Sequence, residues 1–198
     1  MRKVDFWYEF ASTYSYPAAM RIEAAGAARG VKIVWRPFLL GPIFAAQGWL
    51  DSPFNIYPAK GAYMWRDMER VCAALGLPFV RPDPFPQHSL LAARVALSLE
   101  GAERAAFSRA VYRAEFGEGR SIADRTTLAS LVEAMGWNWS EILARAEEPS
   151  NKERLREECA SAVKIGLFGA PSFAAGDGEL FWGNDRLEQA LGWEVARR

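Results

Sequence analysis

Few side chains in this sequence are suited to chemistry, and they gather near its two ends. Ala11-Ser12-Thr13-Tyr14-Ser15 follows an aromatic run, Ala170-Pro171-Ser172 precedes a second one, and Gly183-Asn184-Asp185 comes just after that. A hydroxyl such as that of Ser12, placed where a strand turns into a helix, meets amides that have no intrahelical partner, which makes the corner a ready anion site. Such a hydroxyl donates a hydrogen bond to a thiolate while the helix dipole favours the negative charge, and together these lower a thiol pKa. Ser and Thr are also the ordinary helix N-caps. Taken alone, the segment points to that role first.

The other candidates carry the same double reading. A small residue, proline and serine ahead of a strand, as at Ala170-Pro171-Ser172, marks either an ordinary strand entry or a cis proline beside the first helix. In the second case the backbone of Ala170 is free to pair with a peptide-like ligand as an added strand. Asn184 and Asp185 are a helix cap with a first-turn acid, or a pair of groups for a ligand's ammonium and carboxylate. Lys60, at the start of a helical stretch, faces solvent or neutralises a ligand carboxylate. His88, the single histidine, stands just ahead of an apolar helical run and reads as a helix-start residue rather than a base. Cys72 and Cys159 are far apart with no CxxC, which removes zinc sites and a dithiol pair and leaves two small apolar fillers.

The elements that must position these groups can be read from pattern. Residues 4–10 (V-D-F-W-Y-E-F) and 31–37 (V-K-I-V-W-R-P) are strands by composition, and residues 14–29 between them have helical spacing with Gly30 as a stop. A β-α-β opening of this length implies a right-handed crossover and parallel strands. Residues 38–60, broken by prolines and glycines, predict a long connection with one short helix. Helices follow over 61–75, 88–100, 102–116, 125–135, 139–147 and 149–164, interrupted by a proline-rich extended stretch at 78–86. The last third predicts a hairpin around Gly176-Asp177-Gly178 and a short helix over 186–191. The expected architecture is α/β, one four-stranded sheet from residues 1–38 and 165–198, with residues 39–164 as an all-helical insertion.

Bulk composition sets limits. Lys plus Arg and Asp plus Glu number 24 each, so no broad field recruits nucleic acid or anionic lipid, and an anionic ligand must be held locally. The longest uncharged stretch, 37–50, holds Pro42, Gly41 and Gly48 and is too short to cross a bilayer. Asp5 and Glu9 interrupt what would be the apolar core of a signal peptide. The expected compartment is the cytoplasm.

With D-F-W-Y-E-F-A-S-T-Y-S-Y at 5–16, S-P-F-N-I-Y-P-A-K-G-A-Y-M-W-R-D at 52–67, F-G-A-P-S-F at 168–173 and F-W-G-N-D-R-L at 181–187 in this order, the chain resembles the 2-hydroxychromene-2-carboxylate isomerases, relatives of kappa-class glutathione transferases and of DsbA-type thioredoxin folds. The match covers nearly the whole length. The resemblance implies a thioredoxin-like four-stranded sheet with a large helical insertion, and glutathione as the source of the reacting thiol. Ser12 and Ser15 stand at the spacing of the Cys-x-x-Cys of DsbA-type relatives, and a serine pair cannot cycle through a disulfide. Ser12 then matches the serine that activates the glutathione sulfur, with Thr13 and Tyr14 beside it. Ala170, ahead of a cis Pro171, matches the residue pairing with the cysteinyl unit, Asn184 and Asp185 match the γ-glutamyl site, and Lys60 faces the glycine end. A further glutathione contact corresponds to Leu50, Asp51 or Asn55, of which Asn55 is the candidate.

The implied reaction converts 2-hydroxychromene-2-carboxylate-type aromatic compounds to trans-o-hydroxybenzylidenepyruvate-type products by reversible thiolate addition. Such a reaction asks for an activated nucleophile and an aromatic cleft rather than a general base. The partners are thus glutathione and a small aromatic electrophile, and pairing of two chains is permitted. Two departures stand out: Thr13 where the family commonly has proline, and Pro17 where leucine is usual. A kappa-like transferase or peroxidase acting on another electrophile, and a non-catalytic thioredoxin-like binding module, remain as alternatives.

Overall fold

Alternation along the first strand decides how the sheet is covered. In β1 (Lys3–Tyr8), Val4, Phe6 and Tyr8 are buried on one face and Trp7 on the other. A computed structural model of the chain describes residues 2–49 and 51–197. It places β1 between β2 (Lys32–Pro37), parallel to it, and β3 (Ser172–Ala175), antiparallel, with β4 (Leu180–Trp182) at the edge, in the order β2-β1-β3-β4. Phe6 pairs with Trp35 on one side and Phe173 on the other, and its ring lies 5.2 Å from Tyr8, 4.9 Å from Trp35 and 5.6 Å from Phe173. Each buried ring of this kind contributes about 1.5–3 kcal/mol.

The face carrying Phe6 and Tyr8 is covered by α1 (Ser15–Ala27), the helices inserted between β2 and β3, and α10 (Leu187–Ala196), in one apolar cluster that includes Ile22, Met64, Phe107, Leu155 and Leu191. The opposite face is covered by a smaller cluster in which Trp7 meets Phe38, Ile43, Ala162 and Leu167. Arg36 of β2 locks that side: it pairs with Asp5 at 3.5 Å and Glu158 at 2.9 Å and lies over the Trp7 ring.

The inserted helices are α2 (Leu40–Ala46), α3 (Pro53–Ile56), α4 (Pro58–Leu75), α5 (Leu90–Ser98), α6 (Gly101–Tyr112), α7 (Arg125–Ala134), α8 (Trp139–Glu147) and α9 (Pro149–Lys164). The predicted bounds of α8 and α9 match. Elsewhere the structure differs in ways that bear on the site. β1 stops at Tyr8 rather than residue 10, because the Tyr8 carbonyl accepts from Phe38 N–H and the chain then turns, with Ser12 N–H donating to Glu9 O at 3.0 Å. The connection after β2 holds two short helices instead of one. Pro58 takes the first turn of α4, a position that suits its missing N–H, so this helix begins three residues early and contains Lys60. Past Tyr112 the helical ladder of α6 widens into a π-type turn over Arg113–Gly117. The last helix is also longer than predicted, a 3-10 turn at Asn184–Arg186 leading into α10.

Candidate functional site

A cleft of about 1330 Å³ opens between the β1–α1 corner, the turn ahead of β3, the start of the last helix and the segment from α2 to α4. Ser12, Thr13, Tyr14, Lys60, Ala170, Asn184 and Asp185 all line it. Three groups singled out from sequence do not reach it. Asn55 spends its amide on the Asp51 carboxylate (3.1 and 3.2 Å) and the Phe85 carbonyl (3.2 Å), while Asp51 itself lines the cleft. Ser15 is buried inside α1, so of the two serines at dithiol spacing only Ser12 faces the opening. Pro171 is buried behind Ala170. Leu50 lies outside the described residues.

Ser12 is not the cap of α1. Tyr14 occupies that position, with no side-chain cap bond, and the Ser12 hydroxyl instead donates to the Ala170 carbonyl at 2.9 Å. The Ala170–Pro171 peptide is cis. Among the described residues no acceptor takes the Ala170 N–H. Serine and the strand-entry backbone thus meet across 158 positions of sequence. The two residues after Ser12 are tied to α4: Thr13 Oγ1 donates to Met64 S at 3.1 Å, and Tyr14 OH donates to Asp67 at 3.0 Å. Burial and the Asp67 bond hold the Tyr14 phenol protonated, well above its usual range.

Lys60 is presented by a tight joint. A Cβ at Gly61 would sit 2.2 Å from the Phe54 carbonyl oxygen, so only glycine lets α3 lie against the first turn of α4. The Lys60 ammonium stands 6.0 Å over the Phe54 ring. At the other helix start, Asn184 is held from α1: Arg21 Nε donates to its side-chain oxygen at 3.3 Å, and the same guanidinium pairs with Glu188. The Asn184 side chain is therefore a fixed acceptor rather than a helix cap. Asp185 is exposed and pairs with Arg186 at 3.0 Å.

A family model of the DSBA-like thioredoxin domain matches residues 3–192. The chain belongs to this family. It is 30% identical to 2-hydroxychromene-2-carboxylate isomerase of Pseudomonas putida over 195 residues, covering 96% of this chain and 94% of the relative. It is 25% identical to human glutathione S-transferase kappa 1 over 201 residues, covering 94% and 88%. A solved structure of a 2-hydroxychromene-2-carboxylate isomerase superposes with a TM-score of 0.87 at 28% identity, covering 96% of this chain and 95% of that one. The resemblance carried by the motifs at 5–16, 52–67, 168–173 and 181–187 therefore holds over the full fold.

This DSBA-like chain also has site features that its sequence did not announce. Glu9, which pattern places in the first strand with no role at the site, is only 6% exposed yet lines the cleft. Ser89 donates to its carboxylate, and burial pushes its pKa up to about 7. Behind it Glu115 is fully buried with neither oxygen partnered, and burial together with the neighbouring Glu9 holds it protonated. Tyr112 OH donates to the Glu9 carbonyl at 2.9 Å. At the rim Phe168 and Trp182, each 53% exposed, lie 4.9 Å apart, and Trp182 packs so closely on Gly169 that a Cβ there would come within 2.5 Å of its indole nitrogen. Both aromatics lie in the motifs at 168–173 and 181–187, but nothing local in either motif pairs them.

Of the remaining candidates, His88 is exposed on the cleft wall ahead of α5. Cys72 is buried, with its thiol pushed up to about 11. Cys159 is half-buried and accepts from Leu39 N–H at 3.4 Å. Among the described residues no group of three His, Cys, Asp or Glu could hold a metal ion, and no helix is long and apolar enough to cross a membrane.

Proposed function

We propose that the chain binds glutathione in this cleft, with the thiolate on Ser12, and isomerises an aromatic carboxylate of the 2-hydroxychromene-2-carboxylate type. The names of the relatives support an isomerase- or transferase-like activity. The observation that carries the finer reading is the Ser12 hydroxyl at the cleft, 2.9 Å from the Ala170 carbonyl, beside an Ala170 N–H with no partner.

The residues fit the tripeptide. An extended backbone needs one donor and one acceptor from a sheet edge, and Ala170 offers both. Its carbonyl now holds the only proton of the Ser12 hydroxyl. That carbonyl has a second lone pair for a ligand N–H, and the Ser12 hydroxyl must turn away from it to donate to sulfur. Lys60 suits one carboxylate, and the exposed Asp185 suits an ammonium, with Asn184 and Arg186 adjoining it. Bound glutathione supplies a sulfur nucleophile that adds reversibly to an electrophilic carbon, a task for which the two cysteines of the chain are badly placed. Ser12 favours the anionic sulfur with a charge-assisted hydrogen bond, ahead of the positive end of the α1 dipole, where the Ser15 and Tyr16 amides already donate to the Ser12 and Thr13 carbonyls. The apolar rim at Phe168 and Trp182 excludes water from an aromatic acceptor.

Conversion of 2-hydroxychromene-2-carboxylate by purified protein, with and without glutathione, tests the reading. Turnover that requires glutathione is the expected result, and Ser12→Ala should lower it about 10- to 150-fold, matching about 1.5–3 kcal/mol for one hydrogen bond to a charged group. Activity confined to chloronitrobenzene or hydroperoxides would assign a kappa-like transferase instead. Absence of calorimetric heat with millimolar glutathione would remove both and leave a binding module.

A further inference from the structure

A second recess of about 400 Å³ adjoins the main cleft, bounded by residues of α9, the start of α5 and the start of α2. Its floor is apolar, with Leu39, Leu155 and Val163 among its contributors, and its charged lining consists of Arg94, Lys152 and Arg156. No acidic residue lines it among the described residues. Arg156 is exposed and pairs with Glu153 at 2.6 Å. Arg94 and Lys152 are different: both are half-buried, and among the described residues neither has a carboxylate within ion-pair distance. The Arg94 Nε is buried with no hydrogen-bond partner at all.

Withdrawing a cation from water without a counter-charge is unfavourable, and two such groups facing one apolar hollow raise the cost. An anion with an apolar body removes it. The volume falls at the small end of ligand sites, which suits a ligand of one or two fused aromatic rings. We infer that this recess is a binding site for small aromatic monocarboxylates, with the carboxylate between Arg94 and Lys152 and the ring over Leu39, Leu155 and Val163. Because Leu39, Pro42 and Leu90 line both hollows, an occupant here packs against the back of the wall of the main cleft. The inference does not depend on what that cleft binds.

Cys159 lines the recess and reports on it. The experiment follows alkylation of Cys159 by N-ethylmaleimide in the intact, glutathione-free protein, read by peptide mass spectrometry, with buried Cys72 as internal reference. With a dissociation constant of about 1 mM, 2-naphthoate at about 5 mM should slow alkylation about sixfold, and neutral 2-naphthalenemethanol should slow it much less. The Arg94→Gln/Lys152→Gln protein should lose the protection by 2-naphthoate while keeping its unprotected rate. Lys152→Gln alone, which leaves Arg94 in place, should weaken it severalfold if the double variant fails to fold. Equal protection by the alcohol, undiminished protection in the variants, or no protection at all would each overturn the assignment.

Discussion

Replacing Glu9 by glutamine should change how stability depends on pH, in a direction and by an amount that follow from its surroundings. Burial raises this carboxyl from an ordinary 4.5 to about 7, against the lowering effect of hydrogen bonds from Ser89 and the Ala11 backbone. Between those values the folded protein keeps a proton that the unfolded chain has released. The unfolded state therefore binds fewer protons, and stability falls as pH rises through the window. At about 1.4 kcal/mol per pH unit the loss attributable to Glu9 is about 3 kcal/mol, all of it present above about pH 7 and absent below about pH 4.5. Glutamine keeps an acceptor for Ser89 and removes the charge. Glu115 contributes a loss of the same sign, raised in part by the Glu9 charge, so the difference between the two proteins reports Glu9 together with its effect on Glu115. Urea unfolding of both proteins at about pH 4.5 and about pH 8 measures it, with the variant expected to gain about 3 kcal/mol on the wild type between the two. Parallel pH dependence in the two proteins would mean that Glu9 ionises without penalty and that its burial has been misjudged.

Gly61→Ala should destabilise the chain by about 1–3 kcal/mol in thermal unfolding, since the new methyl collides with the Phe54 carbonyl at 2.2 Å and backbone must move. Gly169→Ala should displace the Trp182 indole, 2.5 Å from the added Cβ, and the Trp182 N–H resonance in a proton–nitrogen spectrum should shift. An unmoved resonance would show that Trp182 does not rest on Gly169. Arg21→Ala should raise KM for glutathione about tenfold with kcat nearly retained, because it frees Asn184 rather than the Ser12 corner. Loss of kcat alone would place Arg21 in the chemistry instead.

Local pattern carried the architecture well where the signals were local. The bounds of α8 and α9 follow from caps and apolar spacing, and the hairpin followed from its turn glycines and flanking aromatics. The failures came from contacts distant in sequence. Nothing near Glu9 indicates that Ser89 and Tyr112 will close over it, and nothing near Asn184 indicates Arg21. The helix that carries Lys60 begins three residues ahead of its sequence-based start, because Pro58, a breaker by pattern, fits the first turn. Asn55 does not line the cleft for a simpler reason: Asp51, four residues earlier, and the Phe85 carbonyl take its amide. The Ser12 corner stayed ambiguous until the position of Ala170 was known, because a cap and a ligand-facing hydroxyl look alike in one strand–helix junction.

The sheet order has a consequence for how the protein comes into being. β1 is central, and its hairpin-side neighbour β3 is synthesised some 160 residues later. On the ribosome, β1 and β2 can pair while the other flank of β1 waits, bare, through the emergence of every inserted helix. The serine corner therefore exists early but lacks its opposite wall. The cleft is completed in one step with the closing hairpin, and truncation anywhere before β3 yields a chain with an open sheet edge and a cleft without its Ala170 and Asn184 side.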